Sequence, residues 1–213
     1  MRQPATYLWC AALAGCAFFG KSEPLSPAYY SAEPAPEAAP AGPVASSTGD
    51  AFRPSVRLHR VDGAGHLRER IAYRTGPREL GFYETRRWAE RPEVYLRRAL
   101  ARALFEQRGL VHAVSGGAPS LDVELFEFDE WRGPPHRVRV AAYVVLSEGR
   151  RVRFEHSISA EQAVSSDADE GQFADVAEAF SVALGRVVDE IGDRVVAELR
   201  APSPSEAPAP PPQ

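Results

Sequence analysis

Between residues 173 and 199 the apolar side chains Phe173, Val176, Phe180, Leu184, Val187, Ile191, Val195 and Leu199 recur at three- and four-residue spacing, and no other stretch of the 213-residue chain limits its fold as tightly. That period is one face of an α-helix. A helix with one apolar face must bury it against another layer of structure. Asp167 and Asp169 precede it, where the helix dipole favours negative charge. The rest of the chain must therefore supply an apolar surface, and its patterns say of what kind.

Most of that supply reads as strands. Val56 and Leu58 alternate with Arg57 and His59, and "ERIAYR" and "ELGFYE" flank a turn at residues 75–78. A helix starts at Pro92, lines one face with Leu96, Leu100, Ala103 and Leu104, and ends at Gly109; Glu93 stands one turn before Arg97, the spacing of a helical ion pair. Leu121, Val123 and Leu125 then alternate with Asp122 and Glu124, and the slip at Phe126 signals a bulge. After "WRGPPHR" turns the chain, Val138, Val140, Ala142, Val144 and Leu146 return on one face, and a turn at residues 147–150 leads to Val152, Phe154 and Ile158. These three strands form an antiparallel meander with an acidic strand beside a basic one, which places Glu124 or Glu127 opposite Arg137 or Arg139. The fold expected is α/β in the α+β sense: a two-layer domain, a mostly antiparallel sheet with two helices packed on one face.

The flanks carry no such pattern. Both cysteines, Cys10 and Cys16, lie in one apolar run near the start. Arg2, the apolar stretch and the small residues Ala14 and Gly15 make residues 1–15 an exported leader, and Lys21, Ser22 and Glu23 end the run short of the roughly 20 residues a membrane span needs. Leu13-Ala14-Gly15-Cys16 resembles the bacterial lipoprotein box, in which a thiolate accepts the lipid. Cys16 is then the lipidation site and the first mature residue, and no thiol remains for a disulfide. Ala17 in place of aspartate implies, by the same resemblance, the periplasmic face of the outer membrane. Residues 16–52 turn to Pro, Ala, Ser and Glu and read as a lipidated N-terminus and tether; residues 201–213 are similar, a disordered Pro-rich tail. One globular domain is left at residues 53–200.

Composition narrows the function classes. A net charge of -4 argues against a nucleic-acid binder. Five scattered histidines offer no His-Glu-x-x-His zinc motif, and "AVSGG" at residues 113–117 lacks the first glycine of a hydrolase elbow and precedes a strand. No enzyme, cofactor or metal is expected.

The stretch "GFYETRRWAERPEVYLRRALARALFEQRG" resembles the signature of the ABC-type transport auxiliary lipoprotein family: Tyr83 on a strand, Arg87-Trp88 at the corner, then a helix with Leu96, Leu100 and Leu104. The lipoprotein box, Tyr29-Tyr30, "LRERIAYR", the meander and the long last helix follow in the family's order. The resemblance implies a non-enzymatic accessory subunit of a lipid transport system, with a permease, an ATPase and a mammalian-cell-entry (MCE) domain protein as partners. Symmetric conduits of that kind also suit a homo-oligomer. An envelope lipoprotein that only scaffolds, without a transport partner, stays open beside it; a hydrolase is the remoter alternative.

The residues singled out for partner binding are Trp88, Arg87, Tyr83, Trp131 and Arg132. Trp88 at a strand-to-helix corner also reads as a core plug, whereas Trp131 and Arg132 beside "RGPPHR" read as an exposed hairpin tip. Arg97, Arg98, Arg102 and Arg108 form a charged helix face, open either to anionic headgroups or to solvent.

Overall fold

The computed structural model describes residues 26–35, 53–165 and 173–201. The leader, Cys16, Asp167, Asp169 and the Pro-rich tail from residue 202 lie outside the described residues. In chain order the elements are β1 (Ala28–Tyr30), β2 (Ser55–Gly63), β3 (Arg70–Gly76), β4 (Glu79–Trp88), α1 (Pro92–Ala101), a π-helical turn (Arg102–Gln107), β5 (Val111–His112), β6 (Ser120–Trp131), β7 (Arg137–Glu148), β8 (Arg151–Ala163) and α2 (Phe173–Arg200).

The strands form one mixed sheet with both helices on one face, an α+β fold. Its longest ladders are antiparallel, β6 with β7 and β7 with β8, joined by the β3–β4 hairpin. Four shorter ladders are parallel: β1 with β4, β2 with β5, and both β2 and β3 with β6. Strands β2 and β3 thus stand end to end along one edge of β6, against residues 120–125 and 129–131, while β7 occupies its other edge.

Alternation along the meander decides which face is buried. Val138, Val140, Ala142, Val144 and Leu146 are all fully buried beneath α2. The ladder slips between Leu125 and Glu127, so the bulge falls at Phe126, and the slip turns Phe128 to the helix side, where it stacks on Phe180 of α2 with centroids 4.5 Å apart. The stripe of α2 supplies the rest of the core, with Phe180, Leu184, Val187, Ile191 and Val195 inaccessible to solvent. In α1 Leu96 and Leu100, and in the π-helical turn that continues it Ala103 and Leu104, are buried as their spacing requires, and Gly109, at φ 65°, takes the left-handed turn that follows.

Local pairings differ from expectation where burial intervenes. Glu93 bonds Arg91 at 2.5 Å, not Arg97, because its side chain is tucked against Gly63 in the first turn of α1. Arg97 instead donates to the carbonyl of His59 at 3.3 Å. Across the meander the expected kind of pair does form: Arg139 meets Glu127 at 3.4 Å, while Glu124 faces Tyr143.

Strand β1 lies within the segment that composition assigns to the tether. Tyr29 pairs with Arg87 and Tyr30 with Trp88, and Ala32 just beyond is fully buried. Polar, Pro-rich composition conceals a contact this short, because only Tyr30 and Ala32 need to enter the core. No helix among the described residues is long and apolar enough to cross a membrane.

Candidate functional site

The strongest concentration of aromatic and charged side chains lies where the β3–β4 hairpin meets the hairpin between β6 and β7. Tyr73 of β3 and Tyr83 of β4 sit edge to face, with centroids 5.4 Å apart. The ring of Tyr73 occupies the space a side chain at residue 81 would need: a Cβ there would come within 2.5 Å of its Cζ, so Gly81 is what lets the ring lie across the strand.

Arg132, the first residue after β6, drops onto this pair. Its guanidinium carbon is 3.7 Å from the Tyr73 centroid and 4.3 Å from that of Tyr83. Glu130 ties the cluster together. It accepts a 2.7 Å hydrogen bond from the Tyr83 hydroxyl on one oxygen, lies 2.8 Å from His136 Nε2 on the other, and is 3.7 Å from Arg132 Nε. Arg86 covers the outside, 4.6 Å from the Tyr83 ring and 5.0 Å from that of Phe173 at the start of α2.

The electrostatics follow from that packing. Burial and the neighbouring Glu130 carboxylate push the Tyr83 phenol from 10.0 up to about 12, with Arg132 pulling the other way. At neutral pH Tyr83 therefore keeps its proton and acts as a fixed donor. The hairpin itself is held at both feet, because Arg132 N donates to Arg74 O at 2.9 Å and Val164 N to His136 O at 3.1 Å. The result is a stiff prong, residues 132–136, whose cation is clamped between two rings. Its exposed edge offers the N–H groups of Arg132 to solvent.

The structure brings some of the expected residues together and separates others. Tyr83 and Arg132 belong to the cluster directly. Arg87 supports it from behind: two residues of β3 span five of β4, and Arg87 Nη1 bonds the carbonyls of Tyr83 at 2.8 Å and Arg86 at 3.0 Å inside that irregular stretch. Trp88 is in the core, 1% exposed, with its ring against Phe128 at 5.4 Å and Phe180 at 5.1 Å.

Trp131 is not at a free hairpin tip. It ends β6 on the opposite face of the sheet, half-buried, with Nε1 bonded to Glu127 at 3.2 Å and its ring between Arg74 and Arg137 at 5.8 and 5.2 Å. Strand alternation causes this: Trp131 and Arg132 are neighbours in sequence and so project to opposite faces.

The helix arginines are likewise engaged. Arg98 and Arg102 bond Glu33, and Arg108 bonds Asp189 and Asp193 on α2. Tyr73, Glu130 and His136 join the cluster without any motif of their own in the sequence. Their only local sign is Gly81 two residues before Tyr83, a strand glycine that marks close approach by another group. Among the described residues, no group of three or more His, Cys, Asp or Glu side chains is arranged to hold a metal ion.

Compared with known proteins, the chain matches one family. The family model described as ABC-type transport auxiliary lipoprotein component matches residues 36–192. A solved Xanthomonas campestris protein of the DUF330 family superposes with a TM-score of 0.63 at 19% identity, covering 80% of this chain and 96% of its own. A second solved structure, of an uncharacterized protein, gives a TM-score of 0.61 at 12% identity over 80% of this chain and 99% of that one. At those identities the likeness is one of fold. No curated protein matches the chain.

Proposed function

The chain belongs to the ABC-type transport auxiliary lipoprotein family, and from that membership we propose that it is a non-enzymatic accessory subunit of an intermembrane lipid transporter. The family is an auxiliary component of ABC-type transport at the cell envelope. In the fuller reading, Cys16 carries the lipid and holds the protein at the periplasmic face of the outer membrane. The folded domain engages an MCE-domain protein whose permease and ATPase lie in the inner membrane, in one copy or as a homo-oligomer.

The observation that carries this reading is the family match across residues 36–192. The cluster of Tyr83, Glu130 and Arg132 supports it with a mechanism. A docking subunit has to present a surface whose shape is fixed before its partner arrives, since ordering side chains on contact costs affinity. Arg132, stacked on Tyr73 and Tyr83, has lost most of its freedom already and keeps N–H edges for a partner's carbonyl or carboxylate. Arg87 stiffens the strand beneath, and Trp88 anchors that strand in the core. Trp131, on the other face, belongs to a second surface with Arg74 and Arg137.

The test is recovery of the acylated protein from detergent-solubilised envelopes beside a Cys16→Ser form, with mass spectrometry of everything that co-purifies. An acyl mass on the wild-type Cys16 alone, together with an MCE protein and its permease, is the expected result. An acyl mass with no transport component would leave only a scaffolding lipoprotein.

A further inference from the structure

We propose that residues 28–34 form a detachable strap that gives the lipid anchor two leash lengths; the proposal rests on the reading of Cys16 as the anchor. The strap is bound at one edge of the fold by a small number of contacts. Strand β1 makes three residue pairs, with Arg86, Arg87 and Trp88. The Tyr30 carbonyl accepts a 2.8 Å hydrogen bond from Ala89 N, and the Tyr95 hydroxyl lies 3.4 Å from it. The Tyr30 ring meets Phe173 edge-on at 4.7 Å, and Ala32 fills a buried site. Glu33 is then gripped at one oxygen by Arg98 Nε at 3.0 Å and Arg102 Nη2 at 3.1 Å.

This is a built receptor for one short strand with a carboxylate behind it, and it is also the part of the fold that can open alone. Strand β1 is the end strand of the sheet and pairs with β4 alone. With the strap gone, β4 keeps its hairpin with β3, and α1 keeps its contacts with β2, β6 and α2. The Glu33 pairs are one-third to two-fifths exposed on the Glu33 and Arg98 sides, so water and salt weaken them. Edges of this kind populate open states well below the free energy of global unfolding.

Opening changes what the anchor can reach. While the strap is seated, 28 - 16 = 12 residues separate Cys16 from the fold, a leash of at most about 40 Å. Once it lifts, the fold begins at Arg53 and 53 - 16 = 37 residues become leash, with a limit of about 125 Å. For any chain obeying square-root scaling, 37 residues span roughly 1.8 times the root-mean-square distance of 12. Residues 36–52 therefore count toward the leash only once the strap lifts. A domain parked near its own membrane gains range without any change in the transport-facing hairpin.

Two measurements on the full mature chain test this. In the first, amide exchange is followed on the Cys16→Ser form. The Ala89 amide, which donates to Tyr30, should exchange roughly 100-fold or more faster than the amides of the core strand β7. Equal rates would mean that the strap opens only with the whole domain, and the proposal fails. In the second, the acylated protein is reconstituted into phosphatidylcholine vesicles bearing an acceptor dye on their headgroups, with a donor dye at Arg150→Cys in the exposed β7–β8 turn. Glu33→Arg combined with Ala32→Asp should lengthen the leash roughly 1.5- to 2-fold and lower energy transfer accordingly. Unchanged transfer, with the Ala89 amide shown to be open in that variant, would overturn the two-length leash. If Cys16 bears no acyl mass and the protein washes off the vesicles, the anchor reading fails and takes the leash with it, while the exchange result still decides whether the strap opens.

Discussion

The Arg132 guanidinium lies 3.7 Å from the centroid of the Tyr73 ring, and through that contact the β6–β7 hairpin is pinned to a strand 55 or more residues earlier in the chain. Cutting the contact should free the hairpin without unfolding the domain. Arg132→Met keeps the length of the side chain and removes its charge, and is expected to cost about 1–2 kcal/mol. Urea unfolding should show a lower midpoint at an unchanged slope, and co-purification of the transport partner should fall.

The Tyr83 phenol makes a pH signature. Its folded pKa is raised to about 12 from 10.0, so the folded state holds the proton where the unfolded state releases it. The stability it contributes is fully present below pH 10 and declines as pH rises toward 12. Tyrosinate absorbance should show a late-titrating group in the wild type that is missing in Tyr83→Phe, beside Tyr143, which Glu155 also holds above the ordinary tyrosine value, and the variant should lose less stability across that interval.

Trp88 and Trp131 should separate cleanly under truncation. Trp88 is buried among Tyr95, Phe128, Phe173 and Phe180, and Trp88→Ala is expected to cost about 3–5 kcal/mol. Trp131 is half-buried on the other face, and Trp131→Ala should cost about 1 kcal/mol. Thermal denaturation of the two variants side by side checks the difference. Equal losses would mean that the face carrying Trp131 is packed as tightly as the core.

Gly81 is the remaining lever on the cluster. A methyl there would sit 2.5 Å from Tyr73 Cζ, so the ring must swing away and the stack under Arg132 is lost. Gly81→Ala should cost about 1–3 kcal/mol. In a double-mutant cycle with Arg132→Met the two losses should be less than additive, because the first substitution has already removed what the second deletes.

The sequence exposes this fold wherever a pattern is long. The stripe of α2, the α1 face ended by Gly109, the meander and its bulge at Phe126 each rest on several residues whose periodicity is set by burial on one side. Short or non-local features leave no such trace. Strand β1 has three residues in a polar, Pro-rich setting, and the parallel ladders join segments whose pairing no local spacing encodes. In the candidate site, the family-like stretch points to Tyr83, Arg87 and Trp88, but only the fold reveals that Tyr73, Glu130 and His136 converge there. Trp131 and Arg132 look alike in sequence, side by side at a turn, and are parted by the two-residue period of the strand. Glu93 shows the same limit at smaller scale, since its partner was decided by how deeply Gly63 lets it sink.

Strand β6 holds β2 and β3 end to end on one edge and β7 on the other, and this dictates an order of assembly. Leu58 pairs with Leu121, so β2 leaves the ribosome 121 - 58 = 63 residues ahead of its partner. Until β6 is made, β2 has no neighbour among the longer strands, and β3 has only its hairpin with β4. The later half is different, because β6, β7 and β8 follow one another through tight connections and close early with low entropic cost. The nucleus of folding should therefore form in the second half of the chain, with the earlier strands zipping onto a finished template. A nascent chain stalled short of residue 120 would present β2 as a bare edge, the form most open to chaperones and to mispairing.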